Sequence, residues 1–453
     1  MQQGGMMRQS LRTKLLVMVG ALAVLLIFAG IGQLMAQQTH IQKKPVIPPD
    51  PPSPLVLSDH NIAAADFCGG LHVLNKKEIF QYEESWQGGT PGVFSYHSVQ
   101  IEDVNGDGEK DLIAVAMNLG DKKNNYDTKI FFEIYEQGAV DAPVFTSPQI
   151  SDKNTFWRAR VLIADLSKYG HKEVILKTGR EIHVFSFSID WNILDSYSHS
   201  VINQAISYSD IAVGDIRGDG TQELVVSAID RQINPYEGFI RVFNGASLTF
   251  SDYFPLRDDF YSQNIDYYYL EDVKLFNLDA DPELEVITTS QAHDYNYSDR
   301  KHAYYCYTHL HVWDWNGTDD YVPMADFRVN NLSPYGNIAT FDVGYIAHDT
   351  IGIALSGHAG ENTFTILTLD PQQKLNEELH GTTSDITSDV GEEIWGVTLT
   401  DIDSDGTHEI IVSGSTVSNK YYIEVFRWVY NELISIWNKT DAACNRIRTH
   451  IAD

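Results

Sequence analysis

From about residue 60 onward the chain repeats one pattern: an apolar run, a short acidic stretch, then a second apolar run. It reads VQIEDVNGDGEKDLIAVA at 99–116, VLIADLSKYGHKEVIL at 161–176 and IAVGDIRGDGTQELVVSA at 211–228. It recurs as VKLFNLDADPELEVITT at 273–289 and GVTLTDIDSDGTHEIIVSG at 396–414. ATFDVGYIAHDTIGIALSG at 339–357 is a weaker copy, and NIAAADFCGGLHVL at 61–74 a worn one. After each pair come two further strand-like runs, among them KIFFEIYEQ at 129–137, EIHVFSFSI at 181–189, FIRVFNG at 239–245, HLHVWDW at 309–315 and YYIEVFRW at 421–428. Alternation of apolar and polar positions, or richness in β-branched and aromatic residues, predicts half-buried strands. No amphipathic helix is visible beyond the N-terminus.

The acidic stretches open at Asp103, Asp165, Asp215, Asn277, Asp342 and Asp401, between 50 and 65 residues apart. Four strands of ordinary length with their turns fill that interval. One four-stranded sheet cannot bury both of its faces alone, and a radial stack of such sheets can. The expected fold is therefore all-β, a seven-bladed β-propeller over residues 59–453. A string of separate β-sandwiches would need linkers, and none is visible after Leu57.

Within the best copies the acidic stretch reads Asp-x-Asx-x-Asp-Gly-x-x-Asp/Glu. Its residues are Asp103, Asn105, Asp107 and Asp111 in one copy and Asp401, Asp403, Asp405 and Glu409 in another. Oxygen donors at positions 1, 3, 5 and 9, with the backbone carbonyl of position 7 (Glu109 and Thr407), can encircle one hard cation. Ca²⁺ accepts six to eight oxygens in flexible geometry, whereas Mg²⁺ demands a strict octahedron and Zn²⁺ prefers His and Cys. Gly108 and Gly406 permit the sharp turn at position 6. Asn277, Asp279, Asp281 and Glu285, with Glu283 at position 7, keep the ligands but carry Pro282 in place of the glycine. Asp215, Asp219 and Glu223, with Thr221 at position 7, keep three ligands, and Arg217 stands at position 3. A guanidinium there would repel a cation or stand in for it. Asp165, Ser167, Tyr169 and Glu173 lack the central acid, and the copy at Asp342 has no ligand set. Roughly three or four structural Ca²⁺ ions are expected. For any one loop the alternative is a polar turn held by Asx hydrogen bonds.

An EF-hand loop begins similarly, but it is flanked by helices and closes with Glu at position 12. Here strands flank the loop and the acid comes at position 9. That arrangement resembles the FG-GAP repeats of integrin α-subunits and the VCBS repeats of secreted bacterial proteins. The resemblance spans most of residues 60–453. It implies a propeller whose loops between the first two strands of a blade bind Ca²⁺. It does not select a function, because adhesins, lectins and polysaccharide lyases share the fold.

The formal net charge of −30 argues against nucleic-acid binding, since phosphates call for Lys and Arg. The same charge disfavours a polyanionic substrate. Three cysteines, Cys68, Cys306 and Cys444, are too few for a disulfide framework and lack zinc-site spacing. Arg8, Arg12 and Lys14 precede an apolar run from Leu15 to Gly32, long for a signal-peptide core and just long enough to span a bilayer. Residues 1–36 thus read as a hydrophobic helix, either a signal anchor or a signal peptide cleaved after Ala36. Both place the rest outside the cytoplasm, anchored to the membrane or secreted. Residues 37–58, with Pro45, Pro48, Pro49, Pro51, Pro52 and Pro54, form a Pro-rich linker.

His309 and His311 alternate on one strand with His302 and His293 nearby, which suits a surface strand better than a transition-metal site. Tyr267, Tyr268, Tyr269, Tyr304 and Tyr305 suit packing between blades better than sugar stacking. There is no GxSxG, HExxH or P-loop. The leading expectation is an extracytoplasmic binding or adhesion module, with a protein or carbohydrate ligand on a propeller face. The alternative is a polysaccharide lyase or glycosidase on the same scaffold. The C-terminal run Arg446 to Asp453 matches the first strand of a repeat, Arg158 to Asp165. It either completes the first blade, bringing Cys444 near Cys68, or opens a further one.

Overall fold

The computed structural model describes residues 54–451, apart from a series of connecting segments, the longest being 119–127, 256–266, 295–304 and 383–392. The expected N-terminal helix, most of the linker, Cys68 and Cys444 lie outside the described residues. Among the described residues no helix is long and apolar enough to cross a membrane. Every described residue lies in the unit Pro52–Asp453.

That unit is a seven-bladed β-propeller, six blades being antiparallel sheets of four strands and blade 2 of five, here lettered a to d from the centre outward. Blade 2 runs Ser95–Glu102, Asp111–Asn118 and Thr128–Tyr135, with two short outer strands, Phe145–Thr146 and Ile150–Asp152, both pairing with strand c. Blades 3, 4 and 5 begin at strands Arg160–Ala164, Ile206–Gly214 and Tyr267–Phe276, and blades 6 and 7 at Asn337–Ala347 and Glu393–Thr400. Blade 1 takes its inner strand, Ile447–Ile451, from the end of the chain and strands b to d from Ile62–Asp66, Leu71–Glu78 and Gln81–Gly88. Pairing of Ile62 with Ile451 and of Asp66 with Ile447 zips the ring shut and removes two free edges. The worn copy at 61–74 is therefore a second and third strand of its blade, where the sequence suggested a first and second.

Seven apolar clusters fill the seven junctions between blades. In strand b of blade 2, Leu112, Ala114 and Ala116 face blade 1, while Ile113, Val115 and Met117 face blade 3. A blade buried on both sides needs apolar residues on both sides of the pleat, which is why these strands read as nearly unbroken apolar runs. Blade 7 meets blade 1 through Ile411, Ile423 and Val425 against Ile62, Ala64 and Leu74. Leu55 and Leu57 join the junction between blades 1 and 2, and Leu55 exchanges backbone hydrogen bonds with Gly138 and Ala139.

Inner strands are also tied to one another by polar groups. Ser98 Oγ accepts from Val161 N at 3.3 Å, Asp210 Oδ2 from Val273 N at 3.3 Å, Asp272 Oδ2 from Phe341 N at 3.4 Å and Asp342 Oδ2 from Leu399 N at 2.9 Å. Asp342 thus lies within the inner strand of blade 6, paired with Ala354, and does not open a loop; that strand continues to Ala347 before a tight turn to Thr350. His309 and His311 are likewise not on a surface strand. They occupy strand c of blade 5, both buried, with rings stacked 5.8 Å apart and His311 Nε2 2.9 Å from Ser290 Oγ.

Candidate metal centres in the a–b loops

All the acidic loops join strand a to strand b, so they lie on one face of the ring. Strands b and d end, and strands a and c begin, at the other.

The loops share a scaffold that starts at position 2. Val104, Leu166, Ile216, Leu278 and Ile402 are all buried, each in the cluster shared with the next blade. The carboxylate at position 9 clamps the N–H of that residue. Val104 N donates to Asp111 Oδ2 at 3.2 Å, Leu166 N to Glu173 Oε2 at 2.8 Å, Ile216 N to Glu223 Oε2 at 3.2 Å and Ile402 N to Glu409 Oε2 at 2.9 Å; Leu278 N donates to Glu285 Oε2. One oxygen of each ninth residue is therefore committed to the fold, and the other is left for the loop.

Position 1 turns the loop. Asp103, Asp215 and Asp401 each accept two backbone N–H bonds, for example Gly108 N to Asp103 Oδ2 at 3.0 Å and Gly406 N to Asp401 Oδ2 at 2.8 Å. Position 5 accepts from position 7 in Asx fashion: Glu109 N to Asp107, Thr221 N to Asp219, Glu283 N to Asp281 and Thr407 N to Asp405. Glycines 108, 220 and 406 have φ between 79° and 89°, and position 4 is also left-handed, with Ser404 at 62°. An L-residue enters that region at a cost, so the turn is imposed by its surroundings. The Asx bonds and the cation geometry coexist, because a carboxylate oxygen that accepts an N–H keeps a lone pair.

In blades 2 and 5 the buried ninth residue of the loop keeps an oxygen with no hydrogen-bond partner. Asp111 is fully buried, and its Oδ1 has no hydrogen-bond partner. Burial pushes its carboxyl up to about 8, with Asp107, Asp103 and Glu136 adding to the push. In blade 5 the Oε1 of fully buried Glu285 and the Oδ1 of Asp314 lack partners. Burial raises Glu285 to about 7, and Asp279, Asp281 and Asp314 reinforce it. Carboxylate oxygens of Asp279, Asp281 and Glu285 lie within 4.8 Å of one another, close enough to hold one ion. Buried polar atoms without partners are rare, and an unmatched carboxylate oxygen among other carboxylates is the arrangement a divalent cation resolves.

The other loops are different. In blade 7 the carboxylates of Asp401, Asp403 and Asp405 converge similarly and Asp403 Oδ1 is buried without a partner, but Arg427 from strand c reaches into them and occupies the ninth residue, Glu409. Its Nη2 bonds Asp403 Oδ2, lies 3.2 Å from Asp405 Oδ2 and donates to Glu409 Oε1 at 2.6 Å. In blade 4, Arg217 Nη1 lies 3.9 Å from Glu223 Oε1, its guanidinium 5.4 Å from the ring centre of Trp315 on blade 5. In blade 3, Ser167 and Tyr169 lie outside the described residues. The regular apolar residue at position 2 was visible in the sequence as Val, Leu, Ile, Leu and Ile; the facing residues Asp314 and Arg427 on strand c, and Glu136 just beyond it, were not, since finding them requires the pairing register.

No family model matches the sequence, and no curated protein does. Among solved structures, a protein from Lactobacillus plantarum aligns at 9% identity over 86% of this chain and 99% of its own, with a TM-score of 0.49. The α-L-arabinofuranosidase Arb93A from Fusarium graminearum aligns at 8% identity over 76% and 92%, with a TM-score of 0.41. Rhamnogalacturonan lyase YesW aligns at 15% identity, with a TM-score of 0.32, and this chain covers 65% of that enzyme. Likeness at this level carries no argument about activity.

Proposed function

We propose that this protein is a calcium-stabilised propeller of the FG-GAP/VCBS type, a binding or adhesion module that works outside the cytoplasm. The observation that carries the calcium reading is the pair of fully buried carboxylates, Asp111 and Glu285, each with one oxygen holding a backbone N–H and the other unmatched. The ion's role is structural. Each loop plugs an aliphatic side chain into the neighbouring blade, so ordering the loop stiffens the junction. A rigid ring then presents a protein or glycan ligand surface on a propeller face.

Export supports this reading, because extracellular calcium is high enough to fill sites of modest affinity. The basic residues and apolar run before Gly32 supply the export signal, cleaved or retained as an anchor. The test is thermal unfolding: chelation lowers the midpoint and Ca²⁺ restores it better than Mg²⁺, whereas no shift removes the calcium reading. A glycan array run beside an assay for new reducing ends or unsaturated products separates a binding module from the lyase or glycosidase alternative.

A further inference from the structure

Register places one residue of strand c, or in blade 2 the residue just after it, opposite the ninth loop residue in the blades that carry an acidic loop. Ile410 pairs with Phe426, which sets Glu409 against Arg427. Leu112 pairs with Tyr135, setting Asp111 against Glu136, and Val286 with Trp313, setting Glu285 against Asp314. In blade 4, Glu223 pairs with Asn244 directly. The same structural position thus carries an acid in blades 2 and 5, an amide in blade 4, a hydroxyl (Ser186, opposite Glu173) in blade 3 and a guanidinium in blade 7.

We infer that this facing residue decides whether a loop takes a divalent cation: Glu136 and Asp314 complete cation sites in blades 2 and 5, and Arg427 takes the cation's place in blade 7. The inference rests on the calcium reading of the loops and narrows it from every acidic loop to two.

The charge balance drives the distinction. In blade 5 the carboxylate oxygens of Asp279, Asp281 and Glu285 lie within 4.8 Å of one another, and Asp314 stands opposite Glu285 on strand c. Both Glu285 Oε1 and Asp314 Oδ1 are shut off from water without a partner. Two oxygens from opposite strands, unmatched and beside the same loop acids, make a site for something positive. In blade 2, Glu136 stands opposite Asp111, whose buried Oδ1 has no partner, while Glu136 Oε1 accepts from Trp191 Nε1 of blade 3 at 3.4 Å. In blade 7 the positive group is already covalently present. One guanidinium nitrogen of Arg427 touches positions 3, 5 and 9 of the loop, and Nε adds a second bond to Glu409 Oε1 at 2.9 Å. A planar guanidinium satisfies several carboxylates with fixed donors and would have to be expelled before an ion could enter. Blade 4 reaches a related end by another route, since Arg217 brings the positive charge from within the loop toward Glu223.

The experiment counts bound Ca²⁺ by elemental analysis after equilibrium dialysis of the full chain. It covers the native protein, Asp314→Asn, Asp405→Asn and Arg427→Gln, each also melted with and without Ca²⁺. Two ions are expected natively. Asp314→Asn weakens one of them tenfold or more. Asp405→Asn leaves the count at two, because blade 7 holds none. Arg427→Gln raises it to three, and its melting temperature becomes more calcium-dependent than the native protein's. A native count of three that Asp405→Asn lowers overturns the inference while leaving the calcium reading intact. An Arg427→Gln variant that folds but gains neither an ion nor calcium dependence also overturns it. A native count of zero overturns the calcium reading itself. Should Arg427→Gln fail to fold, Asp405→Asn still decides the blade 7 assignment.

Discussion

Replacing Asp111 by Asn tests the cation site through a change of sign. The side chain keeps its shape, and its amide oxygen still accepts from Val104 N, now 3.2 Å from Oδ2. What changes is the unmatched Oδ1, which becomes an NH₂ able to donate to the neighbouring loop acids. Without metal the native carboxylate is a liability. Burial lifts it from an ordinary 3.8 to about 8, and at about 1.4 kcal/mol per pKa unit the metal-free fold loses on the order of 4 kcal/mol at pH 7. In chelator, Asp111→Asn should therefore raise stability, by up to a few kcal/mol. In Ca²⁺ the effect inverts, because an NH₂ cannot ligate a cation. A loss of roughly 100-fold in affinity at that site corresponds to about 2.7 kcal/mol, appearing as a lower midpoint at saturating Ca²⁺. Urea unfolding of both proteins, with chelator and with excess Ca²⁺, reads the four values required. If Asp111→Asn destabilises the fold equally in both conditions, Asp111 serves only as an acceptor for Val104, and the cation argument for blade 2 collapses.

Three further outcomes follow from the same geometry. Arg160 Nη1 lies 2.9 Å from Asp210 and 3.0 Å from Asp272, joining three blades at the ring's inner wall, so Arg160→Met should cost about 3–5 kcal/mol in chemical denaturation at pH 8 and less at pH 5, where Asp210, pushed up to about 8 by burial, is protonated. With folded values of about 8 for Asp111 and about 7 for Glu285, both above the unfolded range, the chelated protein holds extra protons when folded; its stability should fall as pH rises from about 4 to 8, with a shallower slope in Asp111→Asn, and an unchanged slope in that variant would count against the raised value. Ile402→Ala empties a fully packed position between blades 7 and 1 and should cost about 2–5 kcal/mol by urea titration, whereas a surface-like change below about 0.5 kcal/mol would refute its role as the plug that anchors the loop.

The architecture was legible because its physics is local and periodic. Apolar runs on both sides of an acidic turn, recurring every 50 to 65 residues, already require blades buried on both faces. Ring closure was legible too, as one of two accounts, because the run Arg446–Asp453 matches the first strand of a repeat in a chain whose first blade looked short. Assigning Asp342 to a loop failed for an informative reason. Arg160, Asp210 and Asp272 all lie five residues before their loops open, at one level of the inner wall, where acids serve as rungs between blades. Asp342 does the same work toward Leu399 and Lys274, so an acid beside an apolar run did not have to mean a turn. The alternation was thus read correctly and one acid's function was not.

Loop chemistry was only half legible, and the missing half lies across the sheet. Each loop's own residues are contiguous, so the oxygen donors at positions 1, 3, 5 and 9 could be read directly. Arg427 stands 18 residues beyond Glu409 and meets it only through the pairing of strands b and c. Sequence similarity between the loops of blades 2 and 7 therefore overstates their equivalence. With nearly the same donors, one leaves an oxygen of its ninth residue, Asp111, with nothing to bind, and in the other the ninth residue, Glu409, is bonded by a guanidinium. A repeat motif specifies where a cation could sit, and the strand facing it specifies which cation that is, an ion from solution or a side chain of the protein itself. On the proposed calcium reading, divergence at that single facing position lets blades of one ring keep a common loop shape while differing in their need for metal.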